Sequence, residues 1–86
     1  DDVLDIEGLA MRLCEVLASL YPQKLAERYK LDPQELEYDG YDLLEAIGRR
    51  RGMLRPGGVV HTERAAIMLL DEFRGGILGP MSLECP

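Results

Sequence analysis

Apolar residues between Asp5 and Leu20 recur at intervals of three and four, and this spacing constrains the fold more than any other feature of the chain. The recurring residues are Ile6, Leu9, Leu13, Val16, Leu17 and Leu20. Such a stripe is typical of an amphipathic helix that packs its apolar face against other helices. Since 86 residues leave room for only one core, this helix is predicted to belong to a single small domain.

Proline marks the start of two shorter helical segments. Tyr21-Pro22 interrupts the apolar stripe, and a short helix is predicted from Pro22 to about Tyr29, because proline suits the first position of a helix. Asp32-Pro33 repeats the pattern, with a residue that commonly caps helices placed before the proline. We therefore expect a single helical turn over 33–37.

Two longer helices are predicted in the second half of the chain. The first covers 41–51, with Asp39 as its N-cap and Gly52 in the position of a left-handed C-cap. Its buried residues are predicted to be Leu43, Leu44 and Ile47. The second covers 63–74 and begins after a cap at His61 or Thr62. Its predicted buried residues are Ala66, Ile67, Leu69, Leu70 and Phe73, and its predicted solvent-facing residues are Arg64, Asp71 and Glu72.

Glycine-rich segments follow both of these helices. In Arg55-Pro56-Gly57-Gly58 the proline presets the second position of a tight turn, and a glycine supplies the positive φ of the third. Gly75-Gly76 ends the last helix, and 77–86 is expected to form an extended tail over the bundle. No strand pairs are indicated. The predicted fold class is therefore all-α, a small bundle of about four to five helices with an extended C-terminal tail, in one domain over 1–86.

The sequence offers little for catalysis, metal binding or membrane insertion. Cys14 and Cys85 lie far apart and His61 is the only histidine, which falls short of a zinc site or a disulfide framework. No Gly-x-x-x-x-Gly-Lys-Ser/Thr loop is present to hold nucleotide phosphates, and no apolar run approaches the ~20 residues of a membrane span. We predict a non-enzymatic domain without cofactor or metal. Because the chain starts at Asp1, we expect it to be a piece of a longer cytoplasmic protein.

Charge is distributed unevenly along the chain. The net charge is −6, but residues 1–48 carry four basic and twelve acidic side chains, whereas residues 49–86 carry six basic and four acidic ones. The segment 49–62 contains no carboxylate at all, and its cations are Arg49, Arg50, Arg51 and Arg55. A cationic segment behind an acidic half suggests a surface for an anionic partner.

The arginines of this segment have two interpretations. Cations in the last turn of a helix stabilise its dipole by ~0.3 to 1 kcal/mol each, so one or two of them need no other role. Consecutive helical residues point about 100° apart, however, so three in a row cannot all act in this way. Guanidinium groups bind phosphate oxygens bidentately, and Gly57 and Gly58 would let backbone amides approach a phosphate. The same two glycines are also explained by a simple turn.

Several short motifs occur in a specific order and spacing. They are Leu20-Tyr21-Pro22, Leu25-Ala26-Glu27-Arg28-Tyr29, Ala46-Ile47-Gly48-Arg49-Arg50-Arg51-Gly52, Gly57-Gly58, Arg64-Ala65-Ala66, Asp71-Glu72-Phe73-Arg74-Gly75, Leu78-Gly79 and Leu83-Glu84. In this arrangement the chain resembles the C-terminal domain of the ribosome biogenesis GTPase A family. The resemblance implies a helical domain similar to the ANTAR RNA-binding fold. It also implies an upstream, circularly permuted GTPase domain that would hold GTP and Mg²⁺.

The resemblance further implies a function and a site. The domain would dock the enzyme on large-subunit ribosomal RNA during late 50S assembly. Arg49, Arg50, Arg51, Arg55 and Arg74 match the family and are its implied RNA contacts. The concentration of positive charge adds Arg64 to the predicted RNA-binding residues, and the loop glycines add the backbone at Gly57 and Gly58. Ile77 and Pro80 stand where the family commonly has cations, so no contact is expected in the tail. His61 stands where the family commonly has a capping aspartate, which favours Thr62 as the cap.

The acidic half of the chain supports a second hypothesis. Residues 1–48, with a formal charge of −8, would suit a basic protein surface better than a nucleic acid. The domain would then dock on a ribosomal protein or on its own upstream GTPase domain. Both hypotheses can hold if they use opposite faces.

Overall fold

The structure is a computed structural model that describes residues 5–76. Its elements are α1 (Ile6–Leu20), α2 (Pro22–Tyr29), a 3-10 turn (Pro33–Glu37), α3 (Gly40–Arg50) and α4 (Thr62–Arg74). Extended pairing between residues 5 and 76 is limited to one isolated antiparallel bridge. The all-α prediction is confirmed, and the predicted tail over 77–86 lies outside the described residues. None of the helices in this range is long and apolar enough to cross a bilayer.

The core lies where α1, α3 and α4 pack on one another, and α2 and the 3-10 turn cover one side of it. Side chains from all four helices contribute. The largest fully buried ones are Leu17, Leu25, Tyr29, Leu43, Leu44, Ile47 and Leu69. The buried face predicted for α3 is therefore confirmed.

The buried faces of α1 and α4 are rotated relative to the sequence prediction. Leu9 and Leu20 of α1 are each 49% exposed, and Ile67 of α4 is 44% exposed. Alanines occupy the centre instead, with Ala10 and Ala65 completely buried. Small side chains let helix backbones approach closely, which moves the larger residues beside them to the rim of the contact. The predictions that Leu9, Leu20 and Ile67 face inward are wrong.

Capping residues begin the helices largely as the sequence indicates. The Asp5 carboxylate accepts a hydrogen bond from the Gly8 amide at 2.9 Å, and that of Asp39 accepts one from the Asp42 amide at 2.8 Å. Of the two candidate caps for α4, His61 is the one used: its Nδ1 accepts from the Arg64 amide at 3.3 Å.

Thr62, the other candidate, is not the cap of α4. It is the first residue of that helix, and its hydroxyl donates to the Glu7 carboxylate of α1 at 2.9 Å. The expectation that Thr62 substitutes for a capping aspartate is therefore wrong, because its hydroxyl bonds to α1 instead of capping α4.

Two glycines allow α3 to lie close to its neighbours. A Cβ at Gly40 would lie 2.5 Å from the backbone oxygen of Met11 in α1. A Cβ at Gly48 would lie 2.8 Å from Cγ1 of Val60 and 3.0 Å from Cβ of Ala65. All three distances are shorter than a van der Waals contact, so any larger residue would push α3 outward.

We predict that Gly40→Ala destabilises the domain by about 1 to 3 kcal/mol, because the obstructing atom belongs to the backbone of α1 and cannot move aside. Urea denaturation followed by circular dichroism measures the change. Ser19→Ala, at an exposed helical position, is the control and should stay within about 0.5 kcal/mol of wild type. Equal stability of the Gly40 variant and wild type would contradict the close approach.

We also predict that the Cys14 thiol is unreactive in the folded domain. Burial, and to a lesser degree the charge of Glu15, raises the pKa of Cys14 to about 12, so the reactive thiolate is scarce at mildly alkaline pH. In a Cys85→Ser background, alkylation should proceed only as fast as the domain unfolds. Rapid labelling under native conditions, at the rate seen in denaturant, would overturn this prediction.

Candidate functional site

The cationic segment begins at the end of α3 and continues through a short, hydrogen-bonded loop. Gly52 adopts a φ of +70°, which confirms the predicted left-handed position. The Arg55 amide donates to the Val59 carbonyl at 2.7 Å, and the His61 amide donates to the Met53 carbonyl at 2.8 Å. These two bonds pair the two sides of the loop.

The tip of the loop is the turn that the sequence predicts. The Gly58 amide donates to the Arg55 carbonyl at 3.0 Å. Gly57 has a φ of +98°, as required of the third residue in a four-residue turn that has proline as its second residue. Because the Gly58 amide closes the turn, it has less capacity to bind a phosphate than the sequence suggested. At the base of the loop, Val60 is only 3% exposed and packs against Gly48.

The three consecutive arginines point in three directions, as helix geometry requires. Arg49 is exposed and makes no ion pair within residues 5–76. Arg50 crosses to the 3-10 turn, where its Nη2 lies 2.7 Å from Oε1 of Glu35 and 3.6 Å from Oδ2 of Asp32. Its Nη1 also donates to the Lys30 carbonyl.

Arg51 turns toward α2 and α4. Its Nη1 lies 3.4 Å from Oε2 of Glu72, and its guanidinium carbon lies 4.9 Å from the centroid of the Tyr29 ring. The second distance is in the range of a cation–π interaction. Arg51 therefore attaches the end of α3 to two other helices.

Glu72 is the centre of this arrangement. Its carboxylate accepts from Nε and Nη2 of Arg28 at 3.1 and 3.0 Å and from the Tyr29 hydroxyl at 2.7 Å. Only 12% of the Glu72 side chain is exposed. Hydrogen bonding from Arg28, opposed by partial burial and reinforced by Tyr29 and Arg51, lowers the pKa of Glu72. Burial, followed by the bond to Glu72, raises the pKa of Tyr29.

Sequence reasoning missed this cluster, which we call the Glu72 cluster (Arg28, Tyr29, Arg51 and Glu72). Glu72 was expected to face solvent, and that expectation is wrong. The available signal was spacing: Glu72 lies three residues after buried Leu69, so it continues the apolar stripe of α4. The carboxylates that pair with Arg50 and Arg51 come from distant parts of the chain, so local charge counting could not reveal them.

The remaining predicted site residues are divided between two regions. Arg55 at the turn and Arg64 in the first turn of α4 are exposed and make no ion pair in the described part of the chain. The contact of Gly48 with Ala65 puts their sequence neighbours, Arg49 and Arg64, at the same crossing of α3 and α4. Arg74 lies about 15 Å farther along α4.

Arg74 borders a different surface. It lines an apolar cleft between α1 and α4 together with Leu9, Leu13, Leu70 and Phe73. Arg49 and Arg64 thus lie at the two ends of the loop and Arg55 lies at its turn, whereas Arg74 lies at the far end of α4. We call the first group, Arg49, Arg55 and Arg64, the exposed arginine group. None of these three guanidinium groups forms an ion pair with a carboxylate between residues 5 and 76. Over the same residues, no cluster of three or more His, Cys, Asp or Glu side chains could hold a metal.

The comparisons with known proteins agree with the predicted resemblance. No protein-family model matches the chain. The ribosome biogenesis GTPase A of Bacillus cereus is 36% identical over 86 residues, which are 100% of this chain and 28% of that protein. That of Priestia megaterium is 35% identical over all of this chain and 29% of its own length. The match falls on the C-terminal portion of these relatives, and the chain spans about 30% of their length.

We predict that Glu72→Gln destabilises the domain at neutral pH by about 1 to 3 kcal/mol, because it removes a partly buried acceptor of charged hydrogen bonds. A carboxylate whose pKa is lowered by folding contributes stability above its unfolded pKa, about 4.3. That contribution disappears as the pH falls through the lower folded value. Thermal unfolding of both proteins across this pH range should show the difference shrinking in acid. A difference in stability that stays constant at every pH would contradict an electrostatic role for Glu72. Glu63→Gln, at an exposed position on the same helix, is the control and should change stability little.

Proposed function

Because the chain is a homologue of the C-terminal portion of ribosome biogenesis GTPase A, we propose that it is the RNA-docking domain of a ribosome-assembly GTPase. In this proposal it holds the enzyme on ribosomal RNA of the large subunit during late 50S maturation. An upstream GTPase domain in the same protein would bind GTP and Mg²⁺ and carry out hydrolysis. The chain itself contributes binding and no catalytic group.

The observation that carries the proposal is the exposed arginine group. Arg49 and Arg55 belong to a stretch, 49–62, that contains no carboxylate, and neither side chain is paired within residues 5–76. Unpaired guanidinium groups on a cationic surface bind phosphate oxygens and release the counterions condensed on RNA. Such contacts hold a protein on RNA without reading its sequence.

Arg50 and Arg51 have a different part in this proposal. Their guanidinium groups are engaged by Glu35 and Glu72, which reduces the positive charge they offer to a phosphate. They attach the end of α3 to the rest of the bundle and so support the position of Arg49 and of the loop. RNA phosphates could recruit them only in competition with these carboxylates.

The acidic surface near the start of α3 favours a second candidate function. Glu37 and Asp42 are exposed and make no ion pair within the described range, and the neighbouring Tyr38 and Tyr41 are 44% and 47% exposed. Exposed carboxylates beside aromatic rings complement a basic protein segment. A ribosomal protein or the upstream GTPase domain would be the partner on this face.

We predict that replacing Arg49 and Arg55 together with glutamine weakens binding of the chain to large-subunit ribosomal RNA. The slope of log affinity against log salt should become shallower by about 1.4 to 1.8, since each lost phosphate contact removes about 0.7 to 0.9. Filter binding across a salt series measures both effects. The control is a second double variant, with glutamine at Arg12 in α1 and at Lys24 in α2. It removes the same number of positive charges and should alter the slope much less.

The outcome separates the two candidate functions. Unchanged affinity and slope in the Arg49 and Arg55 variant, or no binding by wild type at low salt, would count against RNA docking. The acidic surface would then be the better candidate. Glutamine at Arg50 and Arg51 should instead reduce the stability of the fold, because these side chains are paired internally.

A further inference from the structure

The loop between α3 and α4 projects from the bundle. Residues 54–59 are all exposed, whereas Met53 is partly buried and Val60 is only 3% exposed. Among the described residues, a Cβ placed on Gly57 or Gly58 would have no atom within 4 Å apart from those of its chain neighbours. Burial therefore ends at the base of the loop, and the turn beyond it is open on all sides to a partner.

Backbone hydrogen bonds hold the loop in a two-stranded form. The Met53 amide donates to the Gly48 carbonyl at 2.9 Å, which attaches the base of the loop to the end of α3. Leu54 then pairs with Val60 in an isolated antiparallel bridge. Extended residues rise about 3.3 Å each, so the turn lies roughly 10 Å beyond Met53. Because these bonds define the backbone, binding through the loop requires little ordering of the chain.

The exposed arginine group has members at both levels of the loop. Arg55 is the first residue of the turn, because its carbonyl accepts the bond that closes it. Arg49 lies in the last turn of α3 and Arg64 in the first turn of α4, which are the two ends of the loop. The backbone therefore places Arg55 farther from the bundle than the other two arginines.

Cations at two levels of a rigid loop complement a nucleic-acid duplex better than a single strand. A duplex carries two rows of phosphates at a fixed separation, and in RNA they border a wide, shallow minor groove. A loop laid across this groove can reach one row from its base and the other from its tip. A flexible single strand must first be ordered to match the same cations, which costs conformational entropy.

The residues of the turn suit a groove that is lined by sugars. Gly57 and Gly58 carry no side chain, so the backbone of the turn can approach an RNA surface closely. The guanidinium group of Arg55 has more N–H donors than a bidentate bond to a phosphate uses. Its remaining donors can bond a 2′-hydroxyl, a group that duplex RNA displays in its minor groove and that DNA lacks.

We propose that the loop lies across the minor groove of an RNA duplex. Arg49 and Arg64 bind phosphates of the near strand, and Arg55 binds a phosphate of the far strand together with a 2′-hydroxyl beside it. This inference rests on the proposed RNA-docking function and adds the form of RNA that is bound. The contacts are to phosphates and sugars, so they carry no information on base identity.

Three nucleic-acid probes of the same sequence test the inference. They are a short RNA duplex, the corresponding DNA duplex, and one RNA strand whose sequence does not pair with itself. The wild-type chain should bind the RNA duplex roughly 10-fold more tightly than either of the other probes at equal salt. Filter binding across a salt series measures the three affinities and their salt slopes.

Two matched lysine variants separate bonding to the 2′-hydroxyl from the effect of charge. Arg55→Lys keeps the positive charge, so the salt slope on the RNA duplex should not change. The preference for RNA duplex over DNA duplex should nevertheless fall by about 3- to 10-fold, because lysine lacks the second set of donors. Arg49→Lys is the control and should keep the preference, since an ammonium group also binds a phosphate. Circular dichroism verifies that each variant is folded.

The results distinguish failure of this inference from failure of the docking function. Equal affinity of the wild-type chain for the RNA duplex and either other probe overturns the inference, as does a preference for RNA over DNA that Arg55→Lys leaves intact or that both lysine variants lose equally. The docking function is preserved in these cases if glutamine at Arg49 and Arg55 weakens binding to ribosomal RNA. Binding that these glutamines leave unchanged, or no binding to any RNA at low salt, overturns both.

Discussion

The close approach of α3 to its neighbours is the constraint on which the position of the basic segment depends. A Cβ at Gly40 would meet the backbone of Met11, and one at Gly48 would meet Val60 and Ala65. Because these positions carry no side chain, α3 lies deep between α1 and α4. Its last turn then ends against α4, and the loop that follows is held against α3 itself. The position of the arginines at the end of α3 therefore depends on two glycines, Gly40 and Gly48, that let α3 pack closely.

The three consecutive arginines have different surroundings in the fold. Arg50 and Arg51 reach carboxylates on other elements, whereas Arg49 faces solvent. Ion pairs between fully exposed groups contribute only about 0 to 1 kcal/mol, but the Glu72 side chain is only 12% exposed, and it receives several hydrogen bonds at once. The Glu72 cluster thus links α2, α3 and α4 at the base of the cationic loop. The same basic motif therefore contains two arginines that connect elements within the domain and one that faces solvent.

Local signals in the sequence determined most of the secondary structure. Proline acts by fixing its own φ, and capping side chains accept hydrogen bonds from amides two or three residues away. The starts of α2 and α3 and the turn at Gly57 therefore follow from a few adjacent positions. The left-handed Gly52 follows in the same way. Apolar periodicity likewise predicted that α1 and α4 exist. The whole-chain resemblance to ribosome biogenesis GTPase A was also readable without a structure, because it consists of motif order and spacing.

Tertiary structure alone decided which face of each helix is buried and which charges are free. Apolar periodicity defines a stripe several residues wide on each helix, but it does not show which of these residues lie at the centre of the helix contact. In the fold Ala10 and Ala65 lie at the centre, and Leu9 and Ile67 lie at the edge. Likewise, the partner of Arg51 lies 21 residues away in sequence, so no local count of charges could show that it is neutralised. The sequence by itself determined the elements and the cationic segment, since both depend on near neighbours. Only the fold decided which arginines a partner can reach, because that depends on contacts between residues far apart in the chain.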